Sequence, residues 1–149
     1  MGRLTLPTSG SVYLDANGFI YSVEKIEPYH TLLKPMWETA QKNQFEIVSS
    51  ELTLLETLTK PLRENNTLLE NLFRALFNVN EVRLIPTTMS IWEQATRIRA
   101  NSGLKTPDAI HAATAIATGS TLFITNDVGF RRVSSLQVTL LSDFVEKQA

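Results

Sequence analysis

Apolar residues fall along this chain as short continuous runs separated by stretches with helical spacing. Val12, Tyr13 and Leu14 form the first run; Asp15 and an Asn17-Gly18 turn signal end it, which predicts a buried strand. Leu32, Leu33, Met36, Trp37 and Ala40 then recur at the spacing of a helix face after Pro28, and Phe45 to Val48 predict a second strand closed by Ser49 and Ser50. Either serine can accept from the free amides of a following helix that runs through Leu52, Leu55 and Leu58 and that Pro61 should end. Glu51 and Glu56 both lie on it.

A further helix is predicted through Leu68, Leu69, Leu72, Phe73, Leu76 and Phe77, then a strand from Val82 to Ile85, with Pro86 and Thr88 marking a turn and cap. The next helix carries Ile91, Ala95 and Ile98 on one face, and Gly103 stands where a left-handed C-terminal cap is needed. Thr106-Pro107 opens another helix, expected to bury Ile110, Ala113 and Ala117. Leu122 to Ile124 predict a strand ended by Thr125-Asn126-Asp127, and Leu136 to Leu141 a final one. About five strands alternating with helices imply an α/β fold, a parallel sheet with helices on both faces.

Composition narrows the function classes. At 149 residues and 43% hydrophobic, the chain is expected to form one domain over residues 11–149, preceded by a flexible lead-in at 1–10. Fourteen basic residues against fifteen acidic ones leave a net charge of -1, so any nucleic-acid contact must be local or metal-assisted. With no cysteine, disulfides, thiolate metal sites and thiol nucleophiles are excluded. No signal-like or membrane-spanning apolar stretch is visible, and a soluble, cytoplasmic protein is expected.

Asp15 and Asp127 each follow an apolar strand directly, which puts both carboxylates at the edge of a parallel sheet where such folds bind ligands. Asp108 lies in the first turn of its helix, turned away from Ile110. Gathered carboxylates raise one another's pKa unless a positive charge neutralises them, and hard oxygen ligands suit Mg²⁺ or Mn²⁺. Phosphodiester hydrolysis is the reaction such a site serves best. Each acid also has a plainer reading: Asp15 as a helix cap, Asp127 as the start of a turn at Gly129, Asp108 as a complement to a helix dipole. Periodicity does not choose between Glu51 and Glu56.

The segments Val12-Tyr13-Leu14-Asp15-Ala16-Asn17, Ser49-Ser50-Glu51-Leu52-Thr53-Leu54-Leu55-Glu56, Leu104-Lys105-Thr106-Pro107-Asp108-Ala109-Ile110-His111-Ala112-Ala113-Thr114-Ala115 and Phe123-Ile124-Thr125-Asn126-Asp127-Val128-Gly129-Phe130 resemble the PIN-domain family, in particular VapC-type toxin ribonucleases of bacterial toxin-antitoxin pairs. The resemblance implies a three-layer α/β/α fold and an Mg²⁺-dependent endoribonuclease. It chooses Glu56 over Glu51, making Asp15, Glu56, Asp108 and Asp127 the metal-site quartet, with Asn17 and Thr125 as supporting polar positions. It also implies an RNA substrate, a small antitoxin partner and a homodimer. Two rivals stand beside it: a catalytically silent PIN fold used as a binding module, and a haloacid-dehalogenase-type phosphatase, which expects a second acid where Asn17 stands.

Other residues carry weaker signals. His111, one turn after Asp108, is expected to be structural or on the surface, since metal-assisted hydrolysis needs no histidine base. Trp37 and Trp92 are expected in the core. Arg97, Arg99 and Lys105, and separately Arg131 and Arg132, flank the acidic segments either as phosphate contacts or as solvated charge.

Overall fold

A computed structural model describes residues 2–145. Five strands, β1 (Ser11–Leu14), β2 (Glu46–Ser50), β3 (Val82–Ile85), β4 (Leu122–Thr125) and β5 (Val138–Leu140), form one all-parallel sheet in the order β3-β2-β1-β4-β5. Six helices flank it: α1 (Ala16–Val23), α2 (Tyr29–Gln41), α3 (Leu52–Arg63), α4 (Thr67–Phe77), α5 (Met89–Ser102) and α6 (Thr106–Ala117). Among the described residues no helix is long and apolar enough to cross a membrane.

The central strands read as unbroken apolar runs because both of their faces are covered. Successive side chains of a strand point to opposite faces. Val12 and Leu14 accordingly join Phe19, Leu33, Met36, Phe73 and Ile124 in the core under α1, α2 and α4, while Tyr13 joins Val48, Phe123, Ile98 and Ile110 under α5 and α6. Tyr13 stacks on Phe123 at 4.9 Å between ring centres, which ties the two middle strands together on that second face. At the near end of the chain, Leu4 and Leu6 pack against the first core and the Gly2 amide donates to the Phe144 carbonyl.

Several local expectations are revised. Asn17-Gly18 is no turn: it lies in the first turn of α1, with Asp15 as N-cap. Glycine is needed at position 18 because a Cβ there would lie 2.2 Å from Leu14 Cδ1, so it lets α1 sit down on its own strand. Pro61 falls inside α3, which continues to Arg63. α3 also turns a different face inward, with Leu55 65% exposed and Thr53 and Thr57 buried. α6 is buried on nearly every side, His111 included, though Ala117 at its end is exposed. Trp37 is half-buried with its indole N–H on Ser22, whereas Trp92 is exposed. The last strand is shorter than its apolar run, because the chain turns into a short 3₁₀ helix at Leu141–Phe144.

Candidate metal centre

Strand order reverses between β1 and β4: the chain steps from β1 outward to β2 and β3, then crosses to β4 on the other side of β1. At such a reversal the connections leaving neighbouring strands diverge and open a crevice at their carboxyl ends. Asp15 follows β1 and Asp127 follows β4 at this crevice. α6 brings Asp108 there in its first turn, and α3 brings Glu56 in its second. All four carboxylates line one pocket of about 180 Å³ together with Asn17, His111, Ile20 and Phe130. Glu51, by contrast, is exposed and absent from its lining.

Two of the acids do local structural work as well. Asp15 Oδ1 accepts the Gly18 amide at 3.2 Å as the cap of α1, and its Oδ2 accepts the Thr125 hydroxyl at 2.6 Å. Asp127 Oδ1 accepts the Gly129 amide at 2.8 Å and caps a 3₁₀ helix at Val128–Arg132. Capping and lining the pocket are therefore compatible, since a cap residue sits where strand becomes helix and that junction is the sheet edge. Thr125, fully buried, couples the two acids, because its oxygen also accepts the Asp127 amide at 3.1 Å. Asn17 is exposed at the rim. Three of the flanking cations are engaged elsewhere: Arg99 binds the Leu104 carbonyl and Thr106, Arg132 binds the Ser102 and Gly129 carbonyls, and Arg131 pairs with Asp143.

The family model of the PIN domain matches residues 12–136, a span that includes Asp15, Glu56, Asp108 and Asp127. The chain belongs to the PIN-domain family. No curated protein matches it by sequence. Its fold is similar to solved structures at low identity. VapBC2 from Rickettsia felis, bound to a DNA fragment from their promoter, shares 16% identity at a TM-score of 0.70, covering 87% of this chain and 98% of that one. VapBC-1 from nontypeable Haemophilus influenzae shares 20% at 0.66, covering 89% and 98%. The Mycobacterium tuberculosis sarcin-ricin loop cleaving toxin VapC20 shares 18% at 0.66, covering 93% and 99%.

Within this PIN domain, burial raises the Asp15 pKa above its ordinary value, against the hydrogen bonds from Thr125 and Gly18. Asp108 is raised too, first by burial and then by the nearby Asp127. Among the described residues no Lys or Arg lines the pocket, though Lys105 nearby offsets part of the rise at Asp108. Four carboxylates crowded without a cation suit a hard divalent ion in their chemistry. Their placement is looser than their chemistry: among the described residues no three Asp, Glu or His side chains close on one point as a finished ion cage.

Of the two readings of His111, structural or surface, the structure shows the first, but sequence reasoning missed its partners. It is 2% exposed, with a hydrogen-bond partner at each ring nitrogen, Tyr13 at Nδ1 and Glu56 at Nε2. The signal that could have found it is the run of small residues Ala109, Ala112, Ala113 and Ala115, which marks a helix packed on all sides.

Proposed function

We propose that this PIN domain is an Mg²⁺-dependent endoribonuclease, with Mn²⁺ as a workable substitute, and the toxin of a toxin-antitoxin pair. The observation that carries the reading is the convergence of Asp15, Glu56, Asp108 and Asp127, from separate segments of the chain, on one pocket at the strand-order reversal. The solved neighbours described as a toxin-antitoxin complex and as a sarcin-ricin loop cleaving toxin support a cleaving toxin with an antitoxin partner, and the RNA substrate and a homodimer are part of the same reading. Action on RNA goes with a place in the cytoplasm.

Asp15, Glu56, Asp108 and Asp127 are the residues that would hold the ion, and the ion would supply Lewis-acid activation of water and neutralise charge on the phosphoryl oxygens. Asp15 is the most firmly placed, since both of its oxygens are anchored. Thr125 holds the Asp15 and Asp127 segments in register, and Asn17 at the rim is placed to orient substrate or water. The phosphatase rival loses ground on two counts: the chain is a PIN domain, and position 17 is an exposed asparagine.

The test is cleavage of labelled RNA by the wild type, Asp15→Asn and Asp108→Asn, each with Mg²⁺, Mn²⁺ or excess EDTA. Metal-dependent cleavage lost in both variants is the expected result. Cleavage that survives EDTA or Asp108→Asn would overturn the mechanism, and a wild type that neither cleaves nor binds Mn²⁺ would leave the silent-module reading in its place.

A further inference from the structure

Glu56 is the one member of the quartet carried beyond the first turn of a helix, and its side chain is 28% exposed. A glutamate so placed has rotamer freedom that a precise ligand must give up. The structure supplies a restraint. His111 Nε2 lies 2.6 Å from Glu56 Oε1, and His111 Nδ1 lies 2.6 Å from the Tyr13 hydroxyl. The Glu56 carboxylate has no proton to offer, so the Tyr13 hydroxyl is the donor left for the other ring nitrogen, His111 Nδ1. That makes Nδ1 the acceptor and puts the ring proton on Nε2, where it can only donate to Glu56. The ring is itself buried, as are its helix neighbours Ile110 and Ala112.

We propose that Tyr13 and His111 are positioning residues for Glu56: the phenol selects the Nε2–H tautomer of the imidazole, and that N–H pins Oε1 so that the other carboxylate oxygen serves a divalent ion. The inference rests on the nuclease reading and adds to it a buried hydrogen-bond chain reaching from the central strand to the edge of the pocket. Outer partners of ligating carboxylates act in this way on metal affinity.

The experiment compares wild type, Glu56→Gln, His111→Met, His111→Gln and Tyr13→Phe by titration calorimetry with Mn²⁺, alongside long-range ¹H–¹⁵N spectra of the imidazole. His111→Met is expected to weaken Mn²⁺ binding about 10–100-fold. His111→Gln, which keeps a donor toward Glu56, should recover most of that loss. The wild-type spectrum should show the Nε2–H tautomer, and Tyr13→Phe should lose that preference and bind Mn²⁺ more weakly than wild type.

A folded His111→Met protein with wild-type Mn²⁺ affinity, or an Nδ1–H tautomer in the wild type, would overturn the proposal. If His111→Met does not fold, Tyr13→Phe decides, because it removes a single oxygen; unchanged affinity and tautomer there overturn the proposal as well. A wild type with no Mn²⁺ affinity defeats the nuclease reading itself, and the inference with it. That pattern differs from normal wild-type binding with indifferent variants, which defeats the inference alone.

Discussion

Asp15 should be destabilising as a charge and stabilising as a hydrogen-bond acceptor, and two substitutions separate these effects. Asp15→Ala removes the cap of α1, a loss of about 0.5–2 kcal/mol. It also leaves the buried Thr125 hydroxyl without its acceptor, a further cost of about 1–3 kcal/mol. A combined loss of about 1.5–5 kcal/mol lowers Tm by roughly 3–20 °C in a domain of this size, before the relief of burying a charge is subtracted. Asp15→Asn keeps an acceptor for the Gly18 amide and a polar group facing Thr125 while deleting the charge. Burial raises the pKa of Asp15, so the folded state holds its proton more tightly than the unfolded chain does. The stability this group contributes is therefore fullest below the ordinary carboxylate range and is lost as pH rises through the raised pKa. Thermal melts of the three proteins should be run in EDTA, because a bound cation would stabilise the wild type alone. Asp15→Asn should melt at or above wild type at neutral pH, with the difference closing as pH falls toward about 4, and Asp15→Ala should melt well below both. An asparagine variant as unstable as the alanine one, with a gap that does not close in acid, would refute the argument that the buried charge is the costly part.

Two further expectations test the packing. Gly18→Ala should lower the urea midpoint: alanine's helix propensity favours it by about 1 kcal/mol, but the new Cβ meets the buried Leu14 side chain, an overpacking cost of about 1–3 kcal/mol. A raised midpoint would mean that Leu14 can move aside. Phe73→Ala should cost about 3–5 kcal/mol in chemical denaturation, since that ring is fully buried. Trp92→Ala should cost no more than about 1 kcal/mol, since the indole is 46% exposed; equal losses would show that Trp92 is covered in solution.

What could be read from the sequence and what could not divide along a physical line. β1 and β4 are legible because a strand buried on both faces must be apolar throughout, and Asp15 and Asp127 are legible because such a run ends at the sheet edge, whatever surrounds it. Helix starts and stops at Thr88 and Gly103 are equally local: the Thr88 hydroxyl accepts the Ile91 amide, and Gly103 has the positive φ of 72° that a left-handed cap requires. Glu56 is different. Hydrophobic periodicity assumes that the buried face of a helix is the apolar one, yet α3 buries Thr53 and Thr57 and leaves Leu55 outside. Those threonines are tolerated because their hydroxyls are consumed nearby, Thr57 on the Thr53 carbonyl and Thr53 on Ser49, so their outward chemistry is that of small apolar groups. Misreading that face rotates the inferred wheel and makes Glu51 and Glu56 indistinguishable. The same failure hides His111, whose burial depends on Tyr13 and Glu56 reaching it from β1 and α3, ninety-eight and fifty-five residues away in sequence. A residue placed by the backbone path can be read from its neighbours in sequence, whereas one placed by partners from distant elements becomes visible only when those elements are assembled.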